Sequence, residues 1–300
     1  MKIWSGASIR AIFYLVLLLP FVAVSSENYL KEFSIHRQTR YFDFYFVKES
    51  ETNGGIVQFA DGYIDIINRD FFKADFDYPI RVLVLEDRAH FKAFLQREFG
   101  IKETPNFGIY LYQYKLFATY GSSGLGTFAH EIMHPLVESN LKNRAVWAIE
   151  GIPTFFEKFY GYWADGKLVA FWGYQNPWRI EALGSSLTSL NLKDILSATD
   201  SPGKYNESDR RMVSMFLWKE KRFKRFLQLI KQKDMQGYGT YFEAAMEMPM
   251  DKIVPSWERY LVDVSDSRGT IATLPASTIL PDKGLFNEFA EKNQISTKAQ

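Results

Sequence analysis

The chain has 300 residues, of which 47% are hydrophobic and 24% are charged, a composition typical of a folded globular protein. Its 36 basic and 35 acidic residues give a net charge of +1, so we expect no nucleic-acid partner. The chain contains no cysteine, which excludes disulfides, thiolate zinc sites, iron–sulfur clusters and a cysteine nucleophile.

Residues 1–25 have the pattern of a secretory signal peptide. Lys2 and Arg10 precede an apolar run over residues 11–24, which ends in small residues. This run is shorter than the roughly 20 residues that a membrane-spanning helix needs. We therefore expect an exported protein, periplasmic or secreted, that is cleaved after Ser25. The alternative is an uncleaved N-terminal segment, through which alone the chain would contact a membrane.

The next part of the chain is rich in β-like runs separated by glycine-containing turns. The predicted strands lie at 41–47, 56–59, 63–67 and 80–85. Asp87 is expected to cap a helix over residues 88–99, which ends at Gly100. Residues 108–120 are predicted to form either one long strand or a hairpin.

From residue 121 onward the spacing of apolar residues becomes helical. The predicted helices lie at 127–141, 146–160, 207–219, 221–233 and 241–246. Strands followed by helices favour an α+β fold, in which an N-terminal mixed or antiparallel sheet packs against a helical lobe. The predicted organisation is therefore a signal peptide at 1–25, a β-rich part at 26–120, a helical part at 121–264 and a C-terminal tail at 265–300.

The segment His130–His134 reads His-Glu-Ile-Met-His and so contains the pattern HExxH. On a helix, residues i and i+4 share one face, so both imidazoles can reach one metal ion, with Glu131 beside it. Zn²⁺ accepts imidazole nitrogen and keeps an open position for water in catalytic sites. The pattern predicts one zinc ion per chain; the alternative is a pair of structural histidines. Pro135 follows directly and predicts a bend in the helix.

A third ligand is expected on the following helix, at Glu150. The residues between His134 and Glu150 suffice to end one helix, turn, and return antiparallel, which would bring Glu150 opposite the histidines. Two imidazoles, one carboxylate and a water form a mononuclear hydrolytic zinc site. Glu157 lies two turns further on the same face. We interpret it as a solvated acid or an acid at a helix N-terminus, in preference to a hydrogen-bond partner of the ligands.

HExxH followed by Trp-x-x-Glu-Gly at residues 147–151 resembles the gluzincin metallopeptidases, in particular their peptidase MA-like branch, and also the zinc aminopeptidases. The resemblance implies a thermolysin-like catalytic core with Glu131 as the general base. The metal ligands that it implies are His130, His134 and Glu150. It also implies that Tyr205, just before a helix, donates a hydrogen bond to the oxyanion; simple packing is the alternative. Thr154 stands where thermolysin-like relatives have an aspartate that orients a histidine.

These patterns predict an exported zinc metallopeptidase that hydrolyses peptide bonds of a peptide or protein substrate through a metal-activated water. Residues 108–118, just upstream of the zinc helix, are expected to form an edge strand that pairs with the substrate backbone. One alternative is a catalytically inactive, peptidase-like binding module of the cell envelope that uses the same cleft. Another is an exported structural protein in which the motif is a coincidence.

Overall fold

A computed structural model describes residues 28–71, 79–103, 105–141, 146–197, 205–232 and 237–296. The predicted signal peptide and its cleavage point lie outside these residues. The described chain has an α+β fold, as predicted, with a mixed five-stranded sheet in its first half. The strands of this sheet are β1 (Ile35–Gln38), β2 (Phe42–Phe46), β3 (Ile80–Leu85), β4 (Gly108–Leu111) and β5 (Leu116–Tyr120).

The order of strands in the sheet is β1-β2-β3-β5-β4, so β4 lies at one edge. Strands β2, β3 and β5 run parallel, whereas β1 and β4 are antiparallel to their neighbours. Residues 108–120 thus form a hairpin, β4 to β5, joined by a 3-10 turn at Tyr112–Tyr114. The hairpin was one of the two predicted outcomes, and it leaves one side of β4 without a neighbouring strand in the described chain.

Two helices connect the strands and cover opposite faces of the sheet. Helix α1 (Glu51–Asp70) packs with the large core on one face, which includes Val82 and Val84 of β3. Helix α2 (Arg88–Phe99) packs on the other face, against Leu83 and Leu85. The bounds of α2 are those predicted: the Asp87 side chain accepts from the His90 N–H, and Gly100 ends the helix with φ of 68°.

The strands predicted at 56–59 and 63–67 are wrong, because these residues belong to helix α1. Their buried side chains recur every three to four residues, at Ile56, Phe59, Tyr63 and Ile67. The glycines that indicated hairpin turns lie within the helix. A Cβ at Gly62 would lie 3.0 Å from the Trp163 ring, so this glycine allows close packing.

The second half of the chain is mostly helical. Its helices are α3 (Leu125–Asn140), α4 (Val146–Phe156), α5 (Pro177–Leu183), α6 (Leu192–Ser197), α7 (Glu207–Lys219), α8 (Phe223–Gln232), α9 (Tyr238–Met246), α10 (Met250–Asp266), α11 (Arg268–Ala272) and α12 (Lys283–Lys292). Helices α3, α4 and α7 pack together and contribute to the large core. None of the described helices is both long enough and apolar enough to cross a bilayer.

A three-stranded sheet, in the order β7-β6-β8, lies within the helical half. Its strands are β6 (Tyr160–Ala164), β7 (Lys167–Phe171) and β8 (Thr278–Leu280). The helix predicted to extend to Tyr160 therefore ends at Phe156, and Tyr160 starts a hairpin whose turn residues Asp165 and Gly166 both have positive φ. The segment predicted as a weak tail contains regular structure. It includes helix α11, strand β8, which pairs with β6, and helix α12.

Candidate metal centre

The HExxH motif lies on α3, which packs against the edge strand β4. His130, Glu131 and His134 are all buried, with 5–7% of their surface exposed. The helix continues to Asn140, so Pro135 does not end it. Because the two histidines are one turn apart on the same face, their rings approach each other, with 4.9 Å between ring centroids.

Glu150 lies in the middle of α4 and faces the two histidines, as predicted. The glycine that follows it has a packing reason: a Cβ at Gly151 would lie 2.8 Å from the backbone oxygen of Arg210 on α7. Any larger side chain would therefore push α4 and α7 apart. Trp147 of the same motif is buried against Phe226 of α8. The motif residues thus fix the position of α4, and with it the position of the Glu150 carboxylate.

The three predicted ligands meet at one point. The Nε2 atoms of His130 and His134 are 3.2 Å apart, and Glu150 Oε2 lies 3.7 Å and 3.8 Å from them. The point in the plane of the three atoms that is equidistant from them lies about 2.1 Å from each, which agrees with zinc–nitrogen distances of ~2.0–2.1 Å. Two imidazoles and one carboxylate are also the donor set of mononuclear catalytic zinc sites. The residues present therefore fit a zinc ion in both spacing and chemistry.

Each ligand histidine has a second contact through its other ring nitrogen. His134 Nδ1 lies 2.9 Å from the hydroxyl of Tyr112, in the β4–β5 turn. His130 Nδ1 lies 3.4 Å from Oε2 of Glu157. The interpretation of Glu157 as a solvated acid is therefore wrong: its side chain is 5% exposed and bonded to Arg179. Thr154 stands where an aspartate orients a histidine in thermolysin-like proteins, and its hydroxyl donates to the Gly151 carbonyl within α4, at 3.0 Å.

Glu131 lies beside the ligands and against the edge strand. Its Oε2 is 4.0 Å from His134 Nε2, and its side chain packs against Gly108, where a Cβ would come within 3.1 Å of the Glu131 Cγ. Burial raises the pKa of Glu131; His130 opposes this, but Glu150 and Glu207 add to it, and the pKa is about 8. A carboxylate whose pKa lies this close to neutrality can both accept and return a proton.

The two histidines have pKa values shifted in opposite directions. Burial lowers the pKa of His130, but the hydrogen bond to Glu157 and the charges of Glu131 and Glu207 outweigh it and raise the pKa to about 9. Burial, together with the neighbouring His130, holds the pKa of His134 well below its ordinary value. The carboxylates around His130 thus favour the protonated form of its ring, whereas His134 is favoured in its neutral form.

A cavity of about 760 Å³ contains the three ligands and Glu131. Strand β4 forms one wall, and two exposed aromatic side chains also line the cavity: Phe107 and Trp178 are each 47% exposed. Tyr205, the predicted oxyanion donor, is not among the described residues that line this cavity. Its hydroxyl donates to Asp194, at 3.3 Å.

The chain matches no protein-family model and no curated protein. The fold and the site nevertheless define a class: an α+β protein with two buried histidines and a partly buried glutamate whose ligand atoms lie close enough together to hold one metal ion.

Proposed function

We propose that this chain is an exported zinc-dependent peptidase of the gluzincin type, with a thermolysin-like catalytic core. The observation that carries the proposal is the triangle of donor atoms from His130, His134 and Glu150, whose size suits zinc, with the Glu131 carboxylate next to it. A site that holds zinc through three protein ligands keeps a fourth position for water or substrate, which is the arrangement of catalytic zinc sites.

A bound zinc ion supplies Lewis acidity to a carbonyl oxygen and lowers the pKa of water toward ~7. Glu131 then acts as the general base: its carboxylate takes the proton of the attacking water and returns it to the nitrogen of the leaving amine. The position of Glu131 supports this role, because its Oε2 lies 4.0 Å from His134 Nε2 and so next to the triangle of ligand atoms. The walls of the cavity limit access of bulk water to these groups.

The proposed substrate is a peptide segment in an extended conformation. Strand β4 is at the edge of the sheet and lines the cavity, so its free side can form main-chain hydrogen bonds with an added strand. The exposed aromatic side chains of Phe107 and Trp178, which line the cavity, favour bulky apolar residues on the substrate. No nucleic-acid partner is proposed.

Two measurements test this function. Elemental analysis of the purified chain is expected to give about one zinc ion per molecule, removed by a chelator and restored by added zinc. A peptide library is expected to be cleaved by the wild type and not by Glu131→Gln, which retains the metal ligands. General acid–base catalysis contributes roughly 100- to 10,000-fold, so the variant should lose that much turnover while it keeps its zinc. Equal cleavage by both proteins would refute the role of Glu131.

The second candidate function is a peptidase-like binding module without activity. The position of the Tyr205 hydroxyl, bonded to Asp194 and away from the cavity, favours it, because the expected oxyanion donor is then missing from the described cavity wall. A chain that binds zinc and captures peptides from the library, yet cleaves none of them, would support this module over the peptidase.

A further inference from the structure

Glu157 follows α4 directly, and three N–H donors hold its carboxylate. Oε1 accepts from Asn176 Nδ2 at 2.8 Å and from Arg179 Nε at 2.9 Å, while Oε2 accepts from Arg179 Nη2 at 2.8 Å. The guanidinium of Arg211, which is fully buried, adds a second positive charge 3.7 Å from Oε1. Two guanidinium charges and three donors stabilise the ionised carboxylate and prevent its rotation.

The same carboxylate faces the ring of His130. Its Oε2 lies 3.4 Å from Nδ1, whereas Nε2, across the ring, faces His134 and Glu150. Nδ1 is buried and has no hydrogen-bond partner of good geometry in the described part of the chain, and the Glu157 carboxylate at 3.4 Å is the acceptor that faces it. A proton on Nδ1 directed at Glu157 leaves the lone pair of the neutral ring on Nε2, which is the tautomer that a metal ligand needs.

The two ligand histidines therefore differ in the group that contacts Nδ1. His134 has the neutral hydroxyl of Tyr112 at Nδ1, and His130 has a charged carboxylate that is itself held by other side chains. A carboxylate acceptor increases the basicity of a ligand imidazole more than a neutral oxygen does, because the hydrogen bond is charge-assisted. Zinc affinity should therefore depend more on the support of His130 than on that of His134.

We propose that Glu157 is the positioning residue of the metal centre: held by Arg179 and Asn176, it fixes the tautomer and the ring orientation of His130 and so increases metal affinity. The inference rests on the proposed zinc site and deepens it. Arg179 also donates to Glu207, so its guanidinium balances the charges of two acids near the site, the buried Glu157 and the partly exposed Glu207.

The main test compares Glu157→Gln with Tyr112→Phe, which removes the support of the other histidine. Zinc dissociation constants are measured by competition with a chelator on the full chain. Loss of a carboxylate that supports a zinc-bound histidine typically costs about 10- to 100-fold in metal affinity, so we expect a loss of this size in Glu157→Gln. Tyr112→Phe is expected to show a smaller loss. Equal affinities of Glu157→Gln and wild type would overturn the proposal.

Two further variants separate the His130 contact from stability. Glu157→Asp keeps the charge that Arg179 requires but withdraws the carboxylate from His130, so it should weaken zinc binding while the metal-free protein remains folded. Trp257→Phe removes a buried hydrogen bond to the Leu190 carbonyl, far along the chain on α10. It should lower thermal stability without changing zinc affinity. If Glu157→Asp binds zinc as tightly as wild type, Glu157 has only a structural role.

A spectroscopic measurement reports on the tautomer directly. The chain has four histidines, so NMR of histidine-labelled, zinc-loaded protein gives few imidazole signals to assign. The Nδ1 proton of His130 should appear far downfield, as expected for a hydrogen bond to a carboxylate, and should move upfield in Glu157→Gln. Failure of the wild type to bind zinc at all would instead refute the proposed function. A wild type that binds zinc without this proton signal would refute the positioning role alone.

Discussion

Gly108→Ala is the substitution that tests most directly how the edge strand and the zinc helix fit together. A Cβ at this position would lie 3.0 Å from Thr127 Cγ2, 3.1 Å from Glu131 Cγ and 3.1 Å from Phe117 Cε2. Carbon atoms in good contact are ~3.5–4.0 Å apart, so the neighbours must move by about half an ångström. Glu131 is among them, and its carboxylate would be displaced relative to the metal ligands.

The expected effect is on turnover more than on metal binding. Overpacking of a buried site costs roughly 1–3 kcal/mol in the free energy of unfolding. A misplacement of ~1 Å at a catalytic group costs about 100-fold in rate, so a shift of about half that size should lower kcat roughly 10-fold. The zinc affinity should stay near that of the wild type, because the three nearest contacts of the new methyl group are to Thr127, Glu131 and Phe117 and not to a ligand residue.

The assay combines kcat on a library-derived peptide, zinc affinity and chemical unfolding, all on the full chain. Gly55→Ala is the matched control: a Cβ there meets nothing within 4 Å, and the residue lies within helix α1. The control should gain roughly 0.5–1 kcal/mol of stability, because alanine is favoured over glycine in helices, and should leave kcat unchanged. Wild-type turnover in Gly108→Ala, or a loss of turnover that follows loss of zinc, would refute the reasoning.

Three other predictions follow from the site. Zinc at 100 times its dissociation constant should stabilise the chain by ~2.7 kcal/mol over the chelated form, which calorimetry measures; an unchanged melting temperature would contradict a site restricted to the folded state. Tyr205→Phe should keep kcat within a few-fold of wild type, because the hydroxyl bonds to Asp194; a loss of ~100-fold would assign it to the oxyanion. Trp178→Ala should raise KM more than it lowers kcat for peptides with bulky apolar residues; equal effects on small and bulky substrates would remove Trp178 from substrate recognition.

The meeting of His130, His134 and Glu150 was predictable because it depends on local geometry. HExxH needs only the helical repeat to bring His130 and His134 to one face, and a short connection to a second helix brings Glu150 opposite them. Asp87 and Gly100 gave the bounds of α2 for the same kind of reason, since caps act within one turn. Features that a few neighbouring residues determine can therefore be derived from the sequence alone.

The failed predictions come from glycines and from long-range packing. The glycines of α1 were interpreted as hairpin turns, although the spacing of Ile56, Phe59, Tyr63 and Ile67 is helical; at Gly62 the reason for glycine is the Trp163 ring, which is distant in sequence. Asp165-Gly166 is a sequence typical of hairpin turns and indicated the β6–β7 hairpin, but a helix was predicted as far as Tyr160, the first residue of β6. In these places tertiary contacts, which have no local signature, decide the outcome.

The side chains that contact the two histidines also depend on long-range packing, and Glu157 is the exception. Tyr112 contacts His134 from the turn between β4 and β5. Arg179 contacts Glu157 from helix α5, which contains none of the predicted motifs. Glu157 did carry a signal: it follows an apolar stretch of α4 and lies two turns beyond Glu150, so its face is the buried one. A buried acid at that position needs cations around it, and Arg179 and Arg211 supply them. The spacing that identifies the third ligand thus also locates the carboxylate behind the first, once burial of the helix face is taken into account.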